Sequence, residues 1–305
     1  MLGSSGAWAD SYWNAEGGVG NLEGGSGTWS TTSDVWTDST ASTPNTAMGS
    51  ADNAIFAGNT AGTVTISGTV EATGLSFLLD GYTLTGGTLT LVSDGVSPQS
   101  AVDVGAGNTA IIQSVIAGSN GLDKTGSGIL ELTGSNTYTG GTTVSAGRLK
   151  GNASSLRGAI VNNAELEFNQ TANGTFASTS SVTGTGNIYK TGSGTLTLQG
   201  SWTTTGSGST QIQDGTLTSV AGALQGNVVN DATLVLDSYF SNGTYTLTGD
   251  ISGSGQVVKN TTGTYILVGN NSYSGGTVIN NGTLQGDANS LQGAITFADN
   301  ANNKG

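Results

Sequence analysis

The apolar residues of this chain fall in short alternating runs rather than in long stretches with helical spacing. Ile129-Leu-Glu-Leu132 and Ala164-Glu-Leu-Glu-Phe168 are two such runs, and clusters of Gly, Asn, Ser and Thr separate them. Side chains alternate between the faces of a strand, so the apolar residues of the second run should share one face and Glu165 and Glu167 the other. The pattern predicts an all-β chain of many short strands.

The runs belong to an internal repeat. The string Lys124-Thr-Gly-Ser-Gly-Ile-Leu-Glu-Leu-Thr-Gly134 returns as Lys190-Thr-Gly-Ser-Gly-Thr-Leu-Thr-Leu-Gln-Gly200 and, degraded, as Lys259-Asn-Thr-Thr-Gly-Thr-Tyr-Ile-Leu-Val-Gly269. A Gly-x-Leu signature follows each copy, and its leucines (Leu149, Leu217, Leu284) lie 68 and 67 positions apart. A regular period of this kind predicts a repeat architecture.

Two β architectures compete for this repeat. Separate small sandwich domains would need linkers with a change of composition between copies, whereas one copy runs directly into the next. In a solenoid, each coil only has to bury its inner row of side chains against its neighbours. The sequence therefore favours a parallel β-helix, an elongated rod whose coils of roughly 20 residues stack at about 4.8 Å.

Composition narrows the function classes. The chain of 305 residues contains 52 Gly but no Cys and no His, and only 9% of it is charged. The absence of Cys and His excludes Ser-His and Cys-His nucleophile systems and most zinc sites. The formal net charge of −13 disfavours binding to nucleic acid or to anionic membranes, because both need basic patches.

A Ser-Lys pair is the first candidate for chemistry. It is available at Lys124 with Ser127 and at Lys190 with Ser193. The pair recurs at the same phase of the repeat, whereas catalytic sites seldom come in stacked copies. We predict that these lysines sit at exposed corners with their stems packed along the rod.

Glu165 and Glu167 are the best carboxylate pair for glycoside hydrolysis. On one strand face they would lie roughly 7 Å apart, within the range that such enzymes use. The matching residues of the second copy are Thr233 and Val235, so this outer face simply varies. A solvated strand face is the favoured interpretation.

The Gly- and Asp-rich segments raise the question of calcium binding. A calcium-binding β-roll needs tandem Gly-Gly-x-Gly-x-Asp nonapeptides, and Gly17-Gly-Val-Gly20 lacks the Asp and does not repeat. Isolated calcium sites that involve Asp94 or Asp103 are the alternative. We predict no catalytic, metal or cofactor-binding residues and no cofactor.

Four of the five tryptophans, Trp8, Trp13, Trp29 and Trp36, lie within the first forty residues. The terminal coil of a solenoid exposes apolar surface and an unpaired strand edge, so it needs a cap. The aromatic residues are predicted to form this cap. An aromatic platform that stacks on sugar rings is the alternative.

The repeated strings resemble the autotransporter-associated β-strand repeat of bacterial type V secretion proteins. Asn136-Thr-Tyr-Thr-Gly-Gly-Thr-Thr-Val144 and Asn271-Ser-Tyr-Ser-Gly-Gly-Thr-Val278 carry the same resemblance. It is strong over about 121–288 and looser over 27–120. It implies a right-handed parallel β-helix outside a Gram-negative-type cell. A complete family member also has a C-terminal membrane β-barrel, so the chain reads as a truncated passenger fragment, attached to a membrane only through a barrel that it lacks.

The predicted organisation is an aromatic-rich cap over 1–40, degenerate first coils over 41–120, and three long repeats over 121–305. The repeats span about 121–186, 187–255 and 256–305, the last one truncated. We expect a non-enzymatic, secreted or surface-displayed stalk or adhesin passenger. Glycans, a host or neighbouring cell surface, or a second copy are the expected partners, and a polysaccharide-binding or polysaccharide-degrading β-helix protein is the alternative.

Overall fold

A computed structural model describes residues 10–49, 52–238 and 243–298. Every regular element in these ranges is a β-strand, and nearly all strand pairs are parallel, so the predicted parallel β-solenoid is confirmed. The predicted right-handedness stays a prediction. The chain divides into two compact units, Met1–Lys150 with Ser154–Leu156, and Gly151–Ala153 with Arg157–Gly305.

The first unit has two alternating sets of strands. Its strands are β1 Asp10–Trp13, β2 Gly27–Trp29, β3 Trp36–Thr37, β4 Asn53–Phe56, β5 Thr63–Ala72, β6 Gly74–Phe77, β7 Thr83–Leu91, β8 Gln99–Val104, β9 Thr109–Ile112, β10 Val115–Ala117, β11 Gly121–Thr125, β12 Ile129–Leu132, β13 Thr142–Val144 and β14 Arg148–Gly151.

One of its sheets runs β13-β11-β8-β6-β4-β1-β3, and the other runs β2-β5-β7-β9-β12-β14, with β10 also paired to β7. Apart from β3 with β4 and β9 with β10, strands that follow each other along the chain alternate between the two sheets. Each coil returns the chain to the sheet it left, one strand further along. This is the connectivity of a parallel solenoid.

The second unit has three strands in most of its coils. Its strands are β15 Ala159–Asn162, β16 Glu165–Asn169, β17 Gly174–Phe176, β18 Ser181–Thr183, β19 Asn187–Thr191, β20 Thr195–Leu198, β21 Ser201–Thr203, β22 Ser209–Ile212, β23 Thr216–Val220, β24 Leu224–Gln225, β25 Asn227–Asn230, β26 Thr233–Asp237, β27 Thr244–Leu247, β28 Ile251–Ser252, β29 Gln256–Lys259, β30 Thr264–Leu267, β31 Thr277–Ile279, β32 Thr283–Gln285 and β33 Ile295–Phe297.

Within this unit the sheets run β15-β18-β21-β24, β16-β19-β22-β25-β28, β17-β20-β23-β26-β29-β31-β33 and β27-β30-β32. Each strand from β15 to β23 pairs with the third strand after it. Glu165, for example, is opposite Asn187. Leu196 is opposite Leu217, and Leu217 is opposite Leu234, all with no exposed surface. The inward apolar residues of successive strands thus stack into an inner row of leucines.

The tryptophans of the first unit are buried in an aromatic cluster. Trp13, Trp29 and Trp36 are at most 1% exposed, and Trp36 packs edge-on against both of the others at 5.2 and 5.0 Å. Phe56 continues the cluster and stacks on Phe77 at 4.8 Å. The short β3 pairs antiparallel with β1 and so covers one edge of a sheet. The sugar-stacking alternative is wrong for these three rings, because they have no free face. Trp8 lies outside the described residues.

Candidate functional site

The repeated lysines are inside the solenoid. Lys124, Lys190 and Lys259 have no exposed surface, so the prediction of exposed corners was wrong. The Lys124 ammonium donates to the main-chain carbonyls of Thr125, Gly126 and Ala146, at 2.6, 2.8 and 3.2 Å. The first two carbonyls follow the lysine directly, and the third comes from the turn of the next coil.

The second copy repeats this arrangement. The Lys190 ammonium donates to the carbonyls of Thr191, Gly192 and Asp214, at 3.0, 2.6 and 2.9 Å. In the third copy, Lys259 donates to the Thr261 carbonyl and, at 3.5 Å, to that of Asn281. The arrangement therefore survives the loss of one Gly and the Ser of the Gly-Ser-Gly string, with two carbonyl acceptors instead of three.

Strand alternation was the signal that could have located these lysines. Lys124 lies two residues after Leu122, and both are buried. Lys190 stands in the same relation to Ile188, and Lys259 to Val257. Residues two apart share a strand face. The charge of a lysine favours the surface, but the position of these lysines along the strand places them on the buried face.

A glycine in the next turn allows the two turns to stack closely. Gly147 and Gly215 have φ of 64° and 67°, a left-handed conformation in which side chains are strained. A Cβ on Gly215 would overlap the carbonyl oxygens of Gly192 and Gly194. The Gly192 oxygen is also an acceptor for Lys190. The Lys-x-Gly string and the later Gly-x-Leu string therefore belong to one pair of stacked turns. The first string supplies the lysine and an acceptor carbonyl, and the second supplies the glycine that lets the next turn approach closely.

Burial shifts the acidity of these lysines. It lowers the pKa of Lys124 to about 8, and the charges of Asp103 and Asp123 oppose the shift. Burial also lowers the pKa of Lys190 to about 8, opposed by Asp214. The pKa of Lys259 is lowered for the same reason, opposed by Asp237. At neutral pH the first two lysines are therefore still mainly charged.

This geometry does not suit a Ser-Lys catalytic pair. A lysine ammonium has three N–H donors, and carbonyls engage all three in the first two copies. Ser127 and Ser193 are exposed, whereas the lysines are buried. The lysine is thus committed to the main chain.

A buried asparagine is the second polar group that recurs. Asn136 accepts a hydrogen bond from the Ile116 amide and donates one to the Ser155 carbonyl, at 2.8 and 3.0 Å. Asn271 makes the same two bonds with Ile251 and Ser290, at 2.7 and 2.6 Å. Each amide joins the coil before it to the coil after it, which explains the Asn of the Asn-x-Tyr string.

The tyrosine of this string is also buried. The Tyr138 and Tyr273 hydroxyls lie 2.7 Å from the hydroxyls of Thr142 and Thr277 respectively. Burial raises the pKa of Tyr138, although its bond to Thr142 opposes the shift. Both motif residues are therefore satisfied interior groups rather than a binding surface.

The two glutamates of β16 differ from each other. Glu167 is only 8% exposed and accepts a 2.8 Å hydrogen bond from the Thr191 hydroxyl. Glu165 is half-buried, with the Tyr189 hydroxyl 3.4 Å away. The prediction of a solvated face therefore fails for Glu167. Val235, its counterpart in the second copy, is similarly buried at 7%, so this position is sheltered whichever residue occupies it.

The two aspartates considered for isolated calcium sites, Asp94 and Asp103, accept hydrogen bonds from nearby groups of the protein. Asp94 accepts hydrogen bonds from the Val96 and Ser97 amides, which holds its own turn and lowers its pKa. Asp103 accepts a bond from the Thr125 hydroxyl at 3.2 Å. Among the described residues, no cluster of three or more acidic side chains is suited to a metal ion.

The outward faces carry ladders of hydroxyl groups. In the second unit, Thr195 is opposite Thr216, and Thr216 is opposite Thr233, on three neighbouring strands. All three are partly exposed. In the first unit, Thr28 is opposite Thr65, and Thr65 is opposite Thr85. Rungs of such a ladder are about 4.8 Å apart, so each ladder is a regular polar strip.

The cavities of the first unit are shallow. A depression of about 270 Å³ lies over the outer side of one sheet and is bordered by Asn53, Gln99 and Asp123. A larger hollow, of about 490 Å³, lies between Trp29, Met48 and Glu71. The lining of each includes at least one carboxylate but no basic side chain.

The surface is more acidic than the composition indicates. The chain has 7 Lys and Arg against 20 Asp and Glu. Three of the seven basic residues are buried lysines, whose charges are held inside. Among the described residues, no helix is long and apolar enough to cross a membrane.

A solenoid of short coils with recurring internal polar groups is a scaffold for an extended surface. The Passenger-associated-transport-repeat family matches residues 122–150, 188–218 and 257–285. Each match contains one buried lysine and the turn whose carbonyl it binds. The chain is therefore a repeat-bearing passenger segment of the autotransporter type, as the strings predicted.

A curated autotransporter protein is similar to most of this chain. The chain is 38% identical over 265 residues to the adhesin BmaC autotransporter of Brucella suis biovar 1 (strain 1330). The alignment covers 76% of this chain but only 8% of that relative. No solved structure matches the chain.

Proposed function

We propose that this chain is a surface-displayed adhesin segment, which contacts glycans or neighbouring cell surfaces through its outward polar faces. The observation that carries the proposal is the hydroxyl ladder Thr195–Thr216–Thr233, a regular strip at partly exposed strand positions. The similarity to a protein named as an adhesin supports it. Passenger similarity also supports a secreted or cell-surface location.

Many weak contacts along a strip suit this role. Each hydroxyl can donate and accept one hydrogen bond, and identical rungs present the same group repeatedly. Linked weak sites gain avidity without a deep pocket. The buried lysines of the repeats are committed to main-chain carbonyls. The comparisons do not support the alternative of a polysaccharide-binding or polysaccharide-degrading β-helix protein.

Adhesion can be measured with fluorescent beads that carry the 305-residue chain. Beads would be passed under flow over epithelial cell layers, and bead clumping would report self-association. We expect the triple variant T195A/T216A/T233A to retain several-fold fewer beads than the native chain. The matched triple variant T195S/T216S/T233S keeps the hydroxyls and should retain the native level.

Two outcomes would contradict the proposal. Native beads that are retained no better than beads coated with an unrelated acidic protein would reduce the chain to a spacer. Equal retention of the alanine and serine variants would move the contact surface away from this ladder. Circular dichroism and thermal unfolding of each variant would show that the solenoid is intact.

A further inference from the structure

Two buried lysines have no carboxylate among the hydrogen-bond partners described above. Lys124 and Lys190 are fully buried, and their ammonium groups are bound by carbonyl oxygens alone at 2.6–3.2 Å. The nearest charges that favour them are those of Asp103 and Asp123 for Lys124, and of Asp214 for Lys190. Burying a charge is costly unless it is fully hydrogen-bonded, so the oxygens must be well placed.

The donors and acceptors match in number and come from two coils. Three carbonyls face three N–H groups in each of these copies. Two carbonyls belong to the lysine's own turn, and the third lies 22 residues on for Lys124 and 24 residues on for Lys190. The lysine main-chain oxygen also accepts amides from that next turn, Ser145 for Lys124 and Gln213 for Lys190.

We propose that each repeat contains a primary-ammonium binding site built from main-chain carbonyls, which its own lysine fills to fasten one coil to the next. The ligand class follows from the geometry, since a compact group with three N–H donors fits three converging oxygens. A guanidinium is planar and presents its donors in a fork, so arginine would not replace lysine here. The site is independent of any adhesive role.

The segments that match the family agree with this ammonium site. Residues 122–150 contain both Lys124 and Ala146, and residues 188–218 contain both Lys190 and Asp214. Residues 257–285 likewise contain Lys259 and Asn281. Each matched segment is thus long enough to include both sides of one ammonium site, which explains why two distant strings recur together.

Truncation with chemical rescue tests the site directly. Lys190→Ala removes three methylenes and the ammonium, and n-propylammonium replaces those atoms. We expect K190A to lower the unfolding temperature by about 10 °C, given the usual 2–4 °C per kcal/mol for a unit of this size. Added n-propylammonium should restore several degrees, because a ligand that binds only the folded state stabilises it. n-Propanol and tetramethylammonium at equal concentration should restore none.

Two further variants separate ammonium binding from packing. Lys190→Met fills the space without donors, so it should remain less stable than the native chain and should not respond to n-propylammonium. Lys150→Ala removes a surface lysine, 3.3 Å from Glu131, and should change the unfolding temperature by only about 1 °C.

Hydrogen exchange gives a local readout. In K190A, amides of the turn around Asp214 should exchange faster, and n-propylammonium should slow them again. Native-like stability of K190M would overturn the proposal, since the carbonyls would then need no ammonium. If K190A does not fold without additive, folding on addition of n-propylammonium supports the site. Failure of n-propylammonium to change either stability or exchange overturns it.

Discussion

The inner and outer faces of the same strands follow different rules. In β16, Leu166 and Phe168 point inward, and the matching residues of β26 are Leu234 and Leu236, all fully buried. Between them, the outward residues change from Glu167 to Val235. The inner row must stack on its neighbours in every coil, whereas an outer residue has to suit only its local surroundings.

The contrast extends to polar residues. Lys124 and Lys190 share one arrangement, as do Asn136 and Asn271, because a buried polar group without a partner is costly. A repeat in this protein therefore records interior geometry, including hydrogen bonds, rather than a binding motif.

Removal of an inner aromatic ring tests the contrast between the inner and outer faces, and it should have the largest effect on stability. Trp13→Ala would lose the packing against Trp36 and Phe56 and the 2.8 Å bond to the Gly25 carbonyl. We expect a loss of about 3–5 kcal/mol in the free energy of unfolding, measured by urea titration. Tyr12→Ala on the same strand is the control, because Tyr12 is partly exposed and should cost much less. Equal losses would contradict a distinct inner row.

Loss of a buried amide is the next largest effect. Asn271→Ala leaves the Ile251 amide and the Ser290 carbonyl without their shared partner. Each unsatisfied buried group costs about 1–3 kcal/mol, so we expect a loss of about 2–4 kcal/mol in urea. Asn280→Ala, at a half-buried site directly after β31, is the comparison variant. If N271A costs no more than N280A, the amide is not a structural link.

The pH dependence of stability reports the buried lysines. The folded pKa of Lys124 and Lys190, about 8, is below the ordinary 10.5, so the unfolded state binds more protons between these values. The free energy of unfolding should therefore rise from pH 8 towards pH 10. Above pH 10 the trend should reverse, because burial raises the pKa of Tyr82 to about 12 and the folded state then holds more protons.

Thermal unfolding across pH 7–11 checks this profile. The double variant K124M/K190M should lose the rise, and Tyr82→Phe should reduce the fall. A native profile that decreases steadily from pH 8 would show that the carbonyls stabilise the ammonium more than burial opposes it.

The smallest effect is expected on the outer face. Lys150 and Glu131 form a 3.3 Å ion pair, and both are about one-quarter exposed. Glu131→Gln should cost less than about 1 kcal/mol, and the small loss should shrink further in 0.5 M salt. A loss comparable with that of N271A would show that the outer face also holds the coils together.

The sequence by itself determined the β class, the solenoid and the repeat, because strand alternation and period are local properties that are visible in one dimension. The same alternation predicts that the apolar residues of the run ending at Phe168 share one face, and Leu166 and Phe168 are both fully buried. The predicted cap, coil and repeat boundaries stay predictions. Only the tertiary structure decided where Lys124 and Glu167 lie, because their burial depends on carbonyls and hydroxyls that the fold brings from other coils. The charge of a side chain favours the surface on average, and an exact set of partners can reverse that preference.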